Sequence, residues 1–298
     1  MVRVRTGGPL TPAELVEVLR MLDAAQAGDA RLNDHLRLDL AQGPRPGFIA
    51  ALAHDGPTLV GYAQASAGND GHIVDAIVAP SAPDPATLRI ALLTAVIQAL
   101  PSGGAITWWA GADDASAATA TAVGLAADRG LLKMVRDLPI DVRADVLVRS
   151  FVVGHDEAAW LAVNNAAFAA HGEQGGWDDA TLRQREREPW FDPAGFLLHE
   201  RDGRLAAFCW TKLHPGEAPD CAVAGEIYVI AVHPDFHGQG LGKALTVAGL
   251  QHLQAAGATT AMLYVDAANA SAVRLYESLG FTVSHTQQSY LRPPLEHR

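Results

Sequence analysis

The chain has 298 residues, 49% of them apolar and 18% charged, which supplies packed cores and makes about two domains the expected count. This composition excludes disorder as the main state, and the only two cysteines, Cys209 and Cys221, exclude a disulfide scaffold and fit reduced thiols. A net charge of −11 removes any general attraction to nucleic acid or anionic lipid.

The N-terminus lacks the apolar run of a signal peptide, and the segment after it is broken by Glu14, Glu17 and Arg20. No stretch approaches the roughly 20 apolar residues of a membrane span, so a soluble, cytoplasmic protein is expected. From Pro12 to Leu22 the apolar positions recur at helical spacing, with proline at the helix start. Residues 47–53, a turn at His54-Asp55-Gly56 and residues 58–64 read as a hairpin. A strand over 72–80 ends in proline and leads into a helix over 86–100, then a strand over 106–109. The Ala-rich stretch 112–127 is expected to be a helix with its start loop.

The second half repeats this order. A helix is expected over 157–168, a hairpin over 195–211 with its turn near Asp202, a central strand over 226–234, a helix over 240–256 and a strand over 261–264. Equivalent points lie 146 residues apart at the hairpin and 155 apart at the later strand. Alternating strands and helices of this kind give an α/β fold. The boundary is expected between Asp141 and Ser150, dividing the chain into domains 1–145 and 146–298.

The sharpest local signal is the run from Val232 to Leu245, where a strand meets a glycine-rich turn that opens a helix. Gly238, Gly240 and Gly242 let main chain approach a ligand, and free N–H groups at the helix start suit phosphate. An ordinary strand-to-helix turn would show glycines too. The dinucleotide fingerprint G-x-G-x-x-G does not fit the Gly238-x-Gly240-x-Gly242 spacing, and a P-loop fails on spacing and on Ala244.

The pattern His237-x-x-Gly240-x-Gly242 resembles the Q/R-x-x-G-x-G/A signature of the GNAT acyltransferases. Asn269, Ala272, Tyr276, Gly280 and Phe281 resemble the same family's N-x-x-A-x-x-x-Y-x-x-x-G-F ending. The resemblance implies two tandem GNAT domains, each a mixed central sheet flanked by helices, with acetyl-CoA as co-substrate. It assigns cofactor binding to Ile230, Ala231 and Val232, to His237, Gly238, Gln239, Gly240, Leu241, Gly242 and Lys243, and to Asn269, Ala270, Ser271, Ala272, Val273 and Arg274. His237 departs from the usual Arg or Gln and brings weaker charge to the phosphate.

In the first half the corresponding segment, Ser81 to Ile90, holds no glycine. Pro83 and Pro85 remove donors, and Asp84 would repel phosphate. The position matching Tyr276 at an offset of 155 is Thr121. Only the second half is therefore expected to catalyse.

Tandem organisation with an eroded first copy is similar to the mycothiol synthase family. The segments that carry this likeness include Val163–Phe168, His171–Trp177, Trp190–Pro193, Trp210–His214, Gly225–Val229 and Leu263–Val265. The likeness implies acetylation of the cysteine amine of a cysteinyl-glucosaminyl-inositol, a small thiol-sugar. It makes Glu226 the general base, the Val232 N–H the carbonyl polariser and Tyr276 the acid that meets the leaving thiolate. Asp34, Glu173, Lys212, Glu226 and Tyr264 are the implied substrate contacts. A tandem GNAT enzyme of another amine, and a non-catalytic acetyl-CoA sensor, remain open. His171, His199, His214 and His233 lack metal-ligand spacing, so no metal is expected, and neither are nucleic-acid or membrane partners. Cys209, in an apolar strand run, reads as structural, and the chain is expected to be a monomer.

Overall fold

The structure, a computed structural model, describes residues 2–26, 32–33, 36–37, 39–40, 43–44, 47–68, 71–169, 174–214 and 223–294. They form two units, 1–130 with 287–298, and 131–286. The sequence cut between 145 and 146 thus falls inside the second unit. The hydrophobic pattern marks strands but not their partners, and here the pairing of the strands Ala126–Asp137 and Thr282–Arg292 decides membership.

In the first unit α1 (Pro12–Gln26) is opened by a capping box. The Thr11 amide donates to Glu14 Oε2 at 2.8 Å, and the Glu14 amide donates back to Thr11 Oγ1 at 3.3 Å. Val18, Met21, Leu22 and Ala25 recur at helical spacing and are the buried face. The sheet runs β1 (Val2–Gly7), β2 (Ile49–Asp55), β3 (Thr58–Ala67), β4 (Gly71–Val78) and β5 (Ala105–Gly111). Its last member is the Gln287–Arg292 end of β12 (Thr282–Arg292). All neighbours are antiparallel except β4 and β5. The unit also contains α2 (Pro85–Ala99) and α3 (Asp114–Ala122).

The second unit has the same pattern. Its sheet begins with the Leu131–Asp137 part of β6 (Ala126–Asp137) and continues through β11 (Thr260–Asp266), β10 (Ala224–Val232), β9 (Arg204–His214), β8 (Phe196–Arg201) and β7 (Arg149–Ser150). Only β10 and β11 run parallel. One face packs against α6 (Leu241–Ala255) and α7 (Ala270–Ser278). The other face packs against α4 (Glu157–Ala167) and α5 (Asp179–Glu186) through a cluster centred on Trp160, fully buried among Trp177, Phe196, Phe208 and Trp210. Phe196 stacks on Trp210 with centroids 4.3 Å apart. Among the described residues no helix is long and apolar enough to cross a membrane.

The entry to α4 is held electrostatically. Arg149 on the edge strand grips Asp156 with Nη1 at 2.6 Å and Nη2 at 2.9 Å, while the Val152 amide donates to the same carboxylate at 2.8 Å. The guanidinium holds the Asp156 carboxyl at a pKa of about 2, against the opposing effect of burial. A depressed carboxylate contributes its stability above the unfolded pKa and loses it as pH falls through the folded one. Asp156→Asn is therefore expected to cost about 2 kcal/mol at pH 7 and to flatten the loss of stability between pH 4 and 2. Urea titrations across pH check this, and an unchanged pH 7 midpoint would contradict it.

Candidate active site

β10 and β11 share register only over Ala224–Ile227 and Thr260–Leu263. β10 bulges between Ile227 and Val229, and the two strands then flank a cleft of about 270 Å³. Tyr228, Ile230, Tyr264, Asn269, Ala272 and Tyr276 are among the residues that line it. The His233 amide donates to the Ala206 carbonyl of β9 at 2.8 Å. By the alternation of an antiparallel ladder, the peptide groups of Val232 and Ile230 therefore point the other way, toward the opening. Ala231 has its side chain buried against the aromatic cluster, and by the same alternation its N–H and C=O face β9.

The glycine loop follows. Gly238 and Gly240 have φ of 74° and 76°, a region that favours glycine, and Gly240 is the N-cap of α6. Leu241 is buried in the core beneath, Gly242 is half-buried and Lys243 exposed, so the first N–H groups of a fifteen-residue helix face outward together with a cation. The His237 Nε2–H donates to the Val232 carbonyl at 2.9 Å, tying the loop to the strand end. Gln239 is bonded by Arg201, and Arg204 pairs with Asp235 at 2.9 Å, so the β8–β9 turn braces this loop. On the far wall Asn269 caps α7, accepting from the Ala272 amide at 3.1 Å. Ala270, Ser271 and Arg274 lie on the exposed side of α7, and Val273 is half-buried.

Tyr276 is 8% exposed, and its ring meets Phe281 edge-on. Burial pushes its phenol above the usual range, with the Cys209 thiol a smaller cause, so the hydroxyl keeps its proton at neutral pH. Cys209 is fully buried, and its thiol is likewise raised by burial, as befits a structural residue. Cys221 lies outside the described residues.

Glu226 stands on β10 opposite Lys212 of β9 and is 7% exposed. Its Oε2 lies 2.6 Å from His214 Nε2. Lys212 holds its ammonium 4.7 Å from the Trp190 ring centroid and 5.5 Å from that of Tyr228. Tyr264 and Tyr276 line the cleft, while Glu226 and Lys212 face each other across β9 and β10 and are not part of its lining. Asp34 and Glu173 lie outside the described residues. Near the latter, Asn165 exchanges hydrogen bonds with the Trp177 backbone at 2.8 and 3.0 Å, and Asn164 donates to the Gln174 carbonyl at 2.9 Å. In the sequence His214 stands among the histidines without metal-ligand spacing and at the end of the Trp210–His214 segment, with no role of its own. The hairpin register, which sets it diagonally from Glu226, was the signal that could have found it.

The first unit has the same frame with different residues. β4 and β5 also pair over four residues, Gly71–Val74 with Ala105–Trp108, and the third of these is the apolar Ile73 where β10 has Glu226. The N-cap of α2 is Asp84, which adopts the left-handed conformation of Gly240, with φ of 49°. Its own carboxylate accepts from the Thr87 amide at 3.3 Å and supplies the negative charge that the helix start attracts. The α3 and α7 caps, Asp113 and Asn269, are 156 residues apart, so Tyr276 aligns with the buried Ala120 rather than with Thr121. Neither residue carries a phenol.

The model of the acetyltransferase (GNAT) family matches residues 160–281. The mycothiol acetyltransferase of Streptomyces avermitilis is 44% identical, over 96% of this chain and 94% of its own. That of Thermobispora bispora is 42% identical over 91% and 94%. This chain belongs to the mycothiol acetyltransferase family. It is an acetyl-CoA-dependent N-acetyltransferase with an α/β GNAT fold. Among solved structures, a tandem GNAT protein from the clavulanic acid biosynthesis pathway superposes with a TM-score of 0.66 at 15% identity, covering 99% of this chain and 100% of that one. A GCN5-related N-acetyltransferase from Sphaerobacter thermophilus gives the same TM-score at 19% identity, covering 99% and 98%. Both likenesses concern the fold.

Gly240→Asp gives α6 the cap that α2 already has. Nothing lies within 4 Å of a Cβ at Gly240, so the effect is one of charge and backbone strain rather than collision. The dissociation constant for acetyl-CoA is expected to rise at least 30-fold, by calorimetry, with an unchanged circular dichroism spectrum. A normal constant would contradict anion binding at this loop.

Proposed function

We propose that the second unit transfers the acetyl group of acetyl-CoA to the cysteine amine of 1D-myo-inositol 2-(L-cysteinylamino)-2-deoxy-α-D-glucopyranoside, giving mycothiol. The observation that carries this reading is the division of β10. The buried carboxylate of Glu226 stands where pairing with β11 ends, and the outward peptide groups of Ile230 and Val232 follow on the same strand.

In this reading the Gly238–Lys243 loop and the start of α6 hold the pyrophosphate, and the cleft between β10 and β11 takes the pantetheine arm. The α-amine of a cysteinyl group has a pKa of about 8 and is partly neutral at pH 7, so a carboxylate suffices as base. Glu226 takes a proton from the amine, directly or through water, as nitrogen attacks the thioester carbon. The Val232 N–H polarises the carbonyl and stabilises the oxyanion. When the carbon–sulfur bond breaks, the Tyr276 phenol donates to the CoA thiolate. Lys212, fixed above Trp190 and Tyr228, offers a donor to sugar or amide oxygens, as does the half-exposed Tyr264. Asp34 and Glu173 complete the implied substrate set.

The first unit serves as a non-catalytic partner in this reading. Ile73 in place of a base and Asp84 at the helix start support that role. Acetyl-CoA is expected to bind at one site per chain by calorimetry, and a stoichiometry of two would contradict it.

Mass-spectrometric assay with acetyl-CoA and the cysteinyl-sugar, beside a panel of simple amines, tests the activity. Faster transfer to the cysteinyl-sugar is expected, and transfer to panel amines alone would replace the substrate. Glu226→Ala is expected to lower turnover about 100-fold or more with little change in acetyl-CoA affinity. Wild-type turnover would remove Glu226 from its role.

A further inference from the structure

We infer that His214 is the positioning residue of the base, its Nε2–H donating to Glu226 Oε2 so that the other carboxylate oxygen is presented to the acceptor amine. The inference rests on the reading of Glu226 as general base.

β9 and β10 are antiparallel, with His214 opposite Ala224 and Lys212 opposite Glu226. Residues 212, 214, 224 and 226 therefore share one face, and His214 is the diagonal neighbour of Glu226. The residue directly across from the imidazole is alanine. A methyl group leaves the ring room to lean along the strand, and its Nε2 comes within 2.6 Å of Oε2. An ionised carboxylate only accepts hydrogen bonds, so the imidazole nitrogen facing it carries the proton.

The pair is also graded in exposure. The Glu226 side chain is 10% exposed and that of His214 31%. The imidazole thus spans the distance from a buried carboxylate to the surface, and its second nitrogen is left for other partners. A carboxylate with neither oxygen held can turn about its last torsion. One held oxygen fixes the plane and leaves Oε1 as the proton acceptor for the amine or an intervening water. Lys212 cannot take this part while its ammonium rests on the Trp190 and Tyr228 rings. The two strand neighbours then divide the work, with Lys212 facing substrate oxygens and His214 orienting the base.

Steady-state kinetics of His214→Leu, His214→Gln, Glu226→Gln and the double variant Glu226→Gln/His214→Leu test this. Acetyl-CoA and the cysteinyl-sugar are the substrates, followed by mass. His214→Leu is expected to lower kcat about 10- to 50-fold, the loss of a hydrogen bond to a charged group, with KM for acetyl-CoA within twofold of wild type. His214→Gln, whose side-chain amide can occupy the place of Nε2, is expected to recover kcat to within about threefold. The double variant is expected to be no slower than Glu226→Gln alone, because the histidine acts only through that carboxylate.

Wild-type kcat in His214→Leu would overturn the inference and mark the contact as a surface ion pair. So would an equal loss in the leucine and glutamine variants, or fully multiplicative losses in the double variant. If Glu226→Gln retains wild-type turnover, the base assignment itself falls and the positioning role with it. A large loss in Glu226→Gln beside a normal His214→Leu removes the positioning role alone. Should His214→Leu fail to fold, the glutamine variant decides: a loss of tenfold or more with that amide in place overturns the inference.

Discussion

Parallel pairing between β10 and β11 lasts four residues and stops, and the rest of the second unit is arranged around that stop. A strand that parts from its neighbour inside a sheet leaves peptide groups without their ladder partners, and such groups are costly unless something else satisfies them. On one edge of β10 the ladder to β9 continues to Val232. On the other edge, past Ile227, β11 no longer satisfies them. An extended, amide-bearing chain such as a pantetheine arm can do so along its length. The bulge between Ile227 and Val229 belongs to the same device, because it changes which side chains face the aromatic cluster without breaking the pairing to β9.

The two units keep a shared framework while differing in the residues at equivalent positions. Strand order, the single parallel pair and the helix caps recur. A left-handed residue opens the helix after the central strand in both. It is glycine in one and aspartate in the other, so one helix start presents bare amides and the other carries its own counter-charge. Ile73 for Glu226 and Ala120 for Tyr276 replace polar groups with apolar side chains that suit a core. All three differences preserve packing.

Much of this was legible in the sequence. The hairpins ending at Asp55 and Arg201, the α2 and α6 starts and the short helix in the Ala-rich stretch follow from proline, glycine and hydrophobic spacing, and the structure shows each. The glycine loop and the Asn269–Phe281 run carry their chemistry in local residue order, so a motif suffices to find them. What was not legible depends on pairing. Register alone brings His214 to Glu226, because residues twelve apart meet only once the hairpin closes. The bond from His237 to the Val232 carbonyl is hidden by a loop geometry that two positive-φ glycines create. Nor does any local signal tell β6 and β12 which sheet they will join.

That last point bears on how such a chain can evolve. Each unit finishes its sheet with a strand drawn from the opposite half: Gln287–Arg292 closes the first, and Leu131–Asp137 closes the second. Loss of residues 131–137 would strip β11 of its outer neighbour and leave a raw sheet edge in the second unit, open to pairing with any other chain. The strand ending at Asp137 is thus tied to the second unit's sheet although it precedes that unit's other strands in the chain. A deletion running from the N-terminus through Asp137 would therefore take the outer strand of the second unit's sheet with it.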